Sequence, residues 1–133
     1  MPGLLTNLQL KWFPAPLPQP GSYDGQRVVV VGATTGLGLA SAVHFLNLGA
    51  REVIITARSA RRGQIAKEQI EAQTNTAGQH RVKVMDVDMN RYSSIIAFVG
   101  RLKSQYSDDG GLDCVVLSAG THNAGFVLSP EGW

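Results

Sequence analysis

The sequence lacks several features that would decide its class at once. It has one cysteine, so no internal disulfide can form, which is typical of a protein from a reducing compartment. None of its apolar runs approaches the roughly 20 residues that a membrane-spanning helix needs, and the N-terminus has no continuous apolar stretch of the signal-peptide kind. We therefore expect no membrane span and a cytoplasmic location.

Charge of one sign and metal-ligand clusters are also scarce. The 12 basic and 10 acidic residues leave a net charge of +2, too small an excess to indicate a nucleic-acid surface. No group of His, Cys and carboxylates has the spacing of a metal site. Single residues of these types are predicted to pack in the interior or to lie on the surface or in loops: Cys114, His44, His80 and His122. We expect no metal and no nucleic-acid partner.

The first 25 residues differ from the rest of the chain. Four prolines fall between Pro14 and Pro20 in "FPAPLPQPGSYDG", which is typical of an extended arm. Before them, Leu4, Leu8 and Trp12 are spaced by four, as in a short amphipathic helix. We expect residues 1–25 to form a proline-rich arm whose helix docks on its own domain rather than on a membrane surface.

From residue 26 onwards, strand patterns alternate with helix patterns. "RVVVV", "EVIITA", "RVKVMDV" and "LDCVVLSAG" are apolar and β-branched, as expected of strands in a parallel sheet with both faces covered. The stretches between them have helical spacing, and their inward-facing residues are predicted to include Ile65, Ala66, either Gln69 or Ile70, Ile95, Ile96, Val99 and Leu102. The fold class is therefore α/β: a doubly wound, Rossmann-like domain over residues 26–133 with the strand order 3-2-1-4.

A glycine-rich turn between the first strand and the first helix carries the strongest functional signal. In "VVVVGATTGLG", Gly32 allows the turn off the strand, Gly36 allows backbone to approach a phosphate, and Gly38 allows the helix to begin close to the sheet. The N–H groups of the helix start form an anion site. The loop residues Thr34, Thr35 and Leu37 complete this candidate site. The alternative is that the glycines serve tight packing alone.

The spacing of these glycines resembles the loop of the short-chain dehydrogenase/reductase family, which reads T-G-x-x-x-G-x-G. Val31 stands where the family usually has Thr, which removes a hydroxyl and leaves the turn intact. The resemblance covers residues 26–133, and it implies that the loop binds a nicotinamide dinucleotide.

Two further stretches are similar to motifs of that family. "VMDVD" matches the Asp after the third strand, so the resemblance implies that Asp86, followed by Val87, bonds the adenine ring. "LSAG" is similar to the family's N-A-G turn, so Ser118, Ala119 and Gly120 would form the floor of the cofactor site, with Ser in place of Asn. Taken alone, the aspartate would be an ordinary loop residue.

Charge near the end of the second strand indicates which cofactor is bound. Enzymes for NAD place an acid about 20 residues after the glycine loop, whereas a basic residue there accommodates the 2′-phosphate of NADP. Arg58 stands 20 residues after Gly38, and Arg61 and Arg62 follow it. We predict NADP in preference to NAD, against the alternative of a solvated helix start.

The acid/base residues that the resemblance implies are not found in these 133 residues. Family members use a Tyr with a Lys four residues later, whereas Tyr23, Tyr92 and Tyr106 are followed at that spacing by Arg27, Ile96 and Gly110. "SPEGW" has the residues of a helix start: an N-cap Ser, Pro at the first position and an acid in the first turn. We therefore expect the cofactor-binding half of the fold, ending before the half that carries the chemistry, with no catalytic residue of its own.

Two functions are compatible with these motifs. The first is the cofactor-binding part of an NADP(H)-dependent oxidoreductase, which would act on a small carbonyl or alcohol substrate when the second half is present. The alternative is a catalytically inactive nucleotide-binding or interaction module. The fourth strand would be an open, apolar edge in either case, so self-association through that edge is expected.

Overall fold

The computed structural model describes residues 16–120 and 124–132. The predicted amphipathic helix of Leu4, Leu8 and Trp12 lies outside the described residues, as does His122. The described end of the predicted arm lies against the domain, because the ring of Tyr23 packs edge-on against Phe45 with centroids 4.8 Å apart.

Four strands and three helices alternate along the chain. In chain order they are β1 (Arg27–Val31), α1 (Gly36–Asn47), β2 (Glu52–Ala57), α2 (Ala60–Thr74), β3 (Val82–Asp86), α3 (Tyr92–Tyr106) and β4 (Cys114–Leu117). The strands form one parallel sheet in the order β3-β2-β1-β4. This confirms the predicted α/β class and strand order.

Alternate residues of β1 and β2 build a hydrophobic layer on each face of the sheet. Val28, Val30, Val53 and Ile55 pack on one face with side chains of α1 and α2. Their neighbours in the strands pack on the other face, among them Val29, Val31 and Ile54, with Phe98 and Tyr106 of α3. All residues of β1 and β2 are buried, which explains why their sequences are continuous apolar runs.

Two helices bury only some of the residues that were predicted to face inward, and Ala66 and Ile70 of α2 are confirmed. Helix α2 packs through Gly63, Ala66 and Ile70, and a Cβ added at Gly63 would lie 2.4 Å from the Val84 side chain. The prediction for Ile65 was therefore wrong, since it is 46% exposed. Only a glycine lets this helix come so close to the strand beneath it.

Helix α3 has apolar residues on two faces, and only one of them packs on the sheet. Phe98 and Tyr106 are buried, and the predicted residues Ile95 and Leu102 pack against them. The predictions for Ile96 and Val99 were wrong, because these residues are exposed.

The two outer strands differ from the central pair in burial. Every second residue of β4 is exposed, with Val115 at 54% and Leu117 at 77%. Strand β4 pairs with β1 alone within the described residues. In the described part of the chain, no helix is long and apolar enough to cross a membrane.

Candidate functional site

A cleft of about 1070 Å³ lies where the carboxyl ends of the four parallel strands meet. Each strand leads into it: β1 at Gly32, β2 at Ala57, β3 at Val87 and β4 at Ser118. Ten of the predicted site residues line it together: Gly32, Thr34, Thr35, Leu37, Gly38, Arg58, Val87, Ser118, Ala119 and Gly120. Ligands of open α/β sheets bind at this position, where the strand order reverses.

Two of the predicted site residues do not line the cleft. Gly36 has a positive φ of 58° and open space where a Cβ would stand. Asp86 is exposed, and its carboxylate lies 3.3 Å from the Arg101 guanidinium. The adenine-binding role of Asp86 stays a prediction.

The glycine turn is packed too tightly for side chains at two of its positions. Gly32 has a φ of 85°, and a Cβ there would lie 2.6 Å from the Cα of Ala119. A Cβ at Gly38 would lie 2.2 Å from the carbonyl oxygen of Gly32. The turn after β1, the start of α1 and the turn after β4 are therefore in direct backbone contact.

A buried threonine, which the sequence motifs did not identify, fixes this turn. The backbone N–H of Gly32 donates a hydrogen bond of 3.0 Å to the Thr56 hydroxyl. Thr56 is 2% exposed and lines the cleft from β2. The signal in the sequence was a single hydroxyl in the apolar strand "EVIITA", but its partner lies 24 residues away in the chain.

Helices α1 and α2 both begin beside the cleft without a side-chain cap. Their N-cap residues, Thr35 and Ser59, make no capping hydrogen bond, and neither helix has an acid in its first turn. The first N–H groups of a helix have no acceptor within the helix, and where no side chain caps them they attract an anion. Thr35 and the first-turn residues Leu37 and Gly38 line the cleft, so the start of α1 can hold a phosphate.

Two arginines add positive charge at the start of α2. Arg58 and Arg62 line the cleft, whereas Arg61 does not. Within residues 16–120 and 124–132, no carboxylate lies within ion-pair distance of either of the two lining arginines. Guanidinium groups bind phosphates in a bidentate manner, so this end of the cleft is suited to a second anionic group.

The remaining walls were not predicted from the sequence. Residues 88–90 form one wall, where the Asp88 carboxylate accepts a bond of 3.0 Å from the Asn90 N–H, and the Asp88 N–H donates to Ser94 Oγ at 2.9 Å. Val127, Leu128, Ser129 and Pro130 form another. At Ser129, where a helix start is predicted, the structure has a hydrogen-bonded turn, closed by a bond of 2.9 Å from the Gly132 N–H to the Ser129 carbonyl; the helix start stays a prediction.

A tyrosine and a lysine do meet in the structure, but not at the cleft. Lys83 Nζ lies 3.3 Å from the Tyr106 hydroxyl, which donates a bond of 2.6 Å to Glu52. Glu52 is the first residue of β2, so this cluster lies where the strands begin, which we call the amino edge of the sheet. The cleft lies at the other end of β2, about 16 Å away at a rise of ~3.3 Å per strand residue.

The chemistry of this pair is also unlike that of an acid/base relay. Burial and the hydrogen bond to Glu52 raise the pKa of the Tyr106 hydroxyl, whereas a proton relay near neutral pH needs a lowered one. Among the described residues, no group of His, Cys, Asp and Glu could hold a metal ion.

Comparisons with known proteins agree with this geometry. The sequence pattern that defines the short chain dehydrogenases matches residues 26–131. A short chain dehydrogenase of Alternaria solani is 36% identical over 93% of this chain and 41% of its own length. One of Penicillium oxalicum is 38% identical over 87% of this chain and 34% of its own. The chain thus spans well under half the length of these curated relatives.

Solved structures show the same arrangement of strands and helices. The menthone neomenthol reductase of Mentha piperita matches 73% of this chain and 32% of its own with a TM-score of 0.63 at 27% identity. The L-sorbose reductase of Gluconobacter frateurii, solved with NADPH and L-sorbose, matches 82% of this chain and 38% of its own with a TM-score of 0.65 at 27% identity.

Proposed function

The chain belongs to the short-chain dehydrogenase family, and from that premise we propose that it binds NADP(H) as the cofactor-binding part of an oxidoreductase acting on a carbonyl or an alcohol. The nicotinamide dinucleotide follows from the family. The preference for NADP and the substrate class are our proposal.

The residues of the cleft fit such a cofactor. The start of α1, with Gly36 leaving open space above its backbone, would hold the pyrophosphate. Ser118, Ala119 and Gly120 line the cleft from β4 and would support the nicotinamide half. Val87, with Asp86 before it, would face the adenine.

The proposed NADP preference rests on one observation, that two arginines line the cleft together. Arg58 and Arg62 line the same cleft as the glycine turn, at the start of a helix that brings neither a cap nor an acid of its own. A 2′-phosphate would supply the negative charge that this helix start lacks. The relative solved with NADPH supports this choice over NAD.

Titration of the chain with NADPH and NADH tests this proposal, with cofactor fluorescence as the readout. We expect NADPH to bind about tenfold more tightly or better, since a hydrogen bond to a charged group contributes roughly 1.5 to 3 kcal/mol. Arg58→Ala should remove most of this preference. Arg61→Ala removes the same charge outside the cleft and should leave the preference in place. Equal affinities for both cofactors, or equal effects of the two variants, would contradict the assignment.

Hydride transfer is the chemistry that the nicotinamide supplies when bound. The proton must come from elsewhere, and none of the three tyrosines is followed by Lys at the family's spacing. The Tyr106–Lys83 pair is directed at Glu52 rather than at the cleft. We therefore propose that these 133 residues bind cofactor without turning over substrate.

A screen of alcohols and aldehydes, followed by the absorbance of the reduced nicotinamide, tests this absence of turnover. We expect no substrate-dependent change. Turnover that is lost in Tyr106→Phe would show that the amino-edge pair is catalytic after all. Tight NADPH binding without turnover in a chain extended to include a Tyr-x-x-x-Lys pair would instead favour the inactive nucleotide-binding module.

Two other expectations stay proposals. A cytoplasmic location rests on the single cysteine and the absence of long apolar runs in the sequence. Self-association rests on the exposed side chains of β4. A sedimentation coefficient that rises with protein concentration, and no longer does so in Val115→Lys, would support it.

A further inference from the structure

The first turn of helix α3 receives its cap from a residue far away in the chain. The N-cap residue Arg91 makes no capping bond, and the first turn contains no acid. Instead, the N–H of Tyr92 donates to Glu131 Oε2 at 2.6 Å. Both the N–H and the hydroxyl of Ser93 donate to Oε1, at 3.4 Å and 2.8 Å. One carboxylate thus accepts three hydrogen bonds at this helix start.

Glu131 directly follows the wall of the cleft that residues 127–130 form. The turn at this point is compact, because the Gly132 N–H donates to the Ser129 carbonyl at 2.9 Å and the Glu131 N–H donates to Ser129 Oγ at 3.3 Å. Residues 88–90, which form another wall of the cleft, lead directly into α3. The carboxylate therefore joins two walls of the same cleft.

The three helix starts of the described chain differ in this respect. Helices α1 and α2, which border the cleft, have neither a side-chain cap nor an acid in the first turn. Helix α3 receives a negative charge from within the chain. A carboxylate at a helix N-terminus is stabilised by the helix dipole and by charge-assisted hydrogen bonds, so the negative charge strengthens this contact.

We propose that Glu131 is a positioning residue of the cleft: by capping α3 it holds residues 127–130 in place as a wall. The fixing of the wall is a property of the chain alone. Its consequence for dinucleotide affinity rests on the function proposed above.

Amide hydrogen exchange tests this assignment without any ligand. In Glu131→Ala we expect the amides of Tyr92 and Ser93, and those of residues 131 and 132, which donate to Ser129, to exchange roughly five- to tenfold faster, the size of effect that loss of a helix cap gives. Glu131→Gln keeps the length of the side chain and loses the charge, so its effect should be intermediate. NADPH affinity should fall several-fold in the same order of variants.

A second variant separates positioning of the wall from simple stabilisation of the helix. Arg91→Ser supplies α3 with an N-cap of its own, at a residue whose backbone is already extended. Combined with Glu131→Ala, it should restore protection to Ser93 and leave the amides of residues 131 and 132 exchanging fast. Arg91→Ser alone serves as the control and should leave those two amides, which donate to Ser129, protected.

The proposal is overturned if the amides of residues 131 and 132 keep their protection in Glu131→Ala, or if Arg91→Ser restores it in the double variant. If the unmodified chain binds neither NADPH nor NADH while the exchange results are as expected, the proposed function fails and the role of Glu131 stands.

Discussion

The parallel strands use polar groups in opposite ways at their two ends: at the amino edge of the sheet, where the strands begin, and at the carboxyl edge, where they end. At the amino edge, Arg27 is 3% exposed and its guanidinium is bound to Asp109 and to the Gly111 carbonyl. At the carboxyl edge, Arg58 and Arg62 line an open cleft, and no carboxylate of the described residues pairs with them. The charges at the amino edge are paired within the fold, whereas the two arginines at the carboxyl edge are free of such pairs in the described part of the chain, which is why we propose that they bind a ligand.

The amino edge is a network of ion pairs and hydrogen bonds around Arg27, in which the buried Nε of Arg27 has no hydrogen-bond partner among the described residues. Arg27 Nε lies 3.6 Å from the Glu52 carboxylate, and the guanidinium stacks 4.5 Å above the ring of Tyr106. Lys83 reaches the same carboxylate at 3.2 Å. The members come from the starts of β1, β2 and β3 and from the end of α3, so the network ties together elements that are distant in sequence.

The carboxyl edge is held by backbone instead. Gly32, Gly38 and Ala119 meet without room for further side chains, and the Thr56 hydroxyl fixes the turn from beneath. This arrangement leaves the N–H groups at the starts of α1 and α2 without side-chain caps. A comparison of the two edges therefore predicts that substitutions at the amino edge affect stability alone, and those at the carboxyl edge affect binding as well.

The largest effect on stability should come from disrupting the network at the amino edge. Arg27→Ala removes one of the two cations beside the Glu52 carboxylate and the donor to the Asp109 and Gly111 carbonyls. Because Lys83 and the Tyr106 hydroxyl still contact Glu52, we expect a loss of about 3 kcal/mol of unfolding free energy, the lower end of the range for a broken buried ion pair. Urea denaturation would measure it.

Arg51→Ala is the matched control for this substitution, because Arg51 lies 3.7 Å from the same Asp109 carboxylate but is 51% exposed. It should cost less than about 1 kcal/mol. Arg27→Lys, which keeps the charge and loses the fork of donors, should fall between the two. Equal losses for Arg27→Ala and Arg51→Ala would mean that the network does not act as described.

The next largest effect should come from the carboxyl edge, where a substitution should weaken cofactor binding as well as lower stability. In Gly38→Ala the new Cβ would lie 2.2 Å from the Gly32 carbonyl oxygen, so the start of α1 must move. We expect a loss of roughly 1–3 kcal/mol, as for other overpacked sites, together with at least about tenfold weaker NADPH binding from the displaced helix N-terminus.

Gly100→Ala is the control in this case. Gly100 lies in α3 and is exposed, with open space around a Cβ. The substitution should raise stability by about 0.5–1 kcal/mol, because alanine loses less entropy in a helix than glycine does. It should leave NADPH affinity unchanged. A Gly38→Ala variant with the affinity of the unmodified chain would show that the helix start is not part of the site.

The elements and their order followed directly from the sequence. Strands such as "RVVVV" and "EVIITA" are apolar because both sheet faces are covered, and the alternation with helices restricts the topology to parallel strands with crossovers. The glycine turn could be placed in advance because a buried strand, a glycine triplet and a helix occur together within a dozen residues.

Contacts between distant residues could not be predicted in this way. The Thr56–Gly32 bond, the Tyr106–Glu52 bond and the Glu131 cap join residues 24, 54 and 39 positions apart, and no local pattern specifies such pairs. For another reason, the inward faces of α2 and α3 were predicted only in part: Ile65, Ile96 and Val99 are exposed. Each helix has apolar residues on more than one face, so the choice between Ile96 and Phe98 depends on the register in which the helix meets the sheet.

The smallest expected effect is a loss of stability at alkaline pH that originates at the amino edge. Burial, followed by the hydrogen bond to Glu52, raises the pKa of Tyr106. Partial burial would lower the pKa of Lys83, but its hydrogen bonds to Tyr106 and Glu52 outweigh this and raise it. Both groups hold their protons more tightly in the folded state, so their contribution to stability is complete below about pH 10, the range of the unfolded values.

Above about pH 10 the unfolded chain loses these protons first, so stability should fall as the pH rises through the pKa values of the folded state. The urea midpoint, measured at intervals from about pH 8 to about pH 11, should decline at the alkaline end. Tyr106→Phe should have a lower midpoint at the start of this range, since Glu52 loses a donor, and a shallower decline, since one of the two titrating groups is gone. Arginine stays charged throughout this range, so the NADPH preference that we assign to Arg58 should not change with the midpoint. If the urea midpoint of Tyr106→Phe declined just as steeply, the loss of stability at alkaline pH would originate outside this network. The contrast between the two edges of the sheet would then not explain that loss.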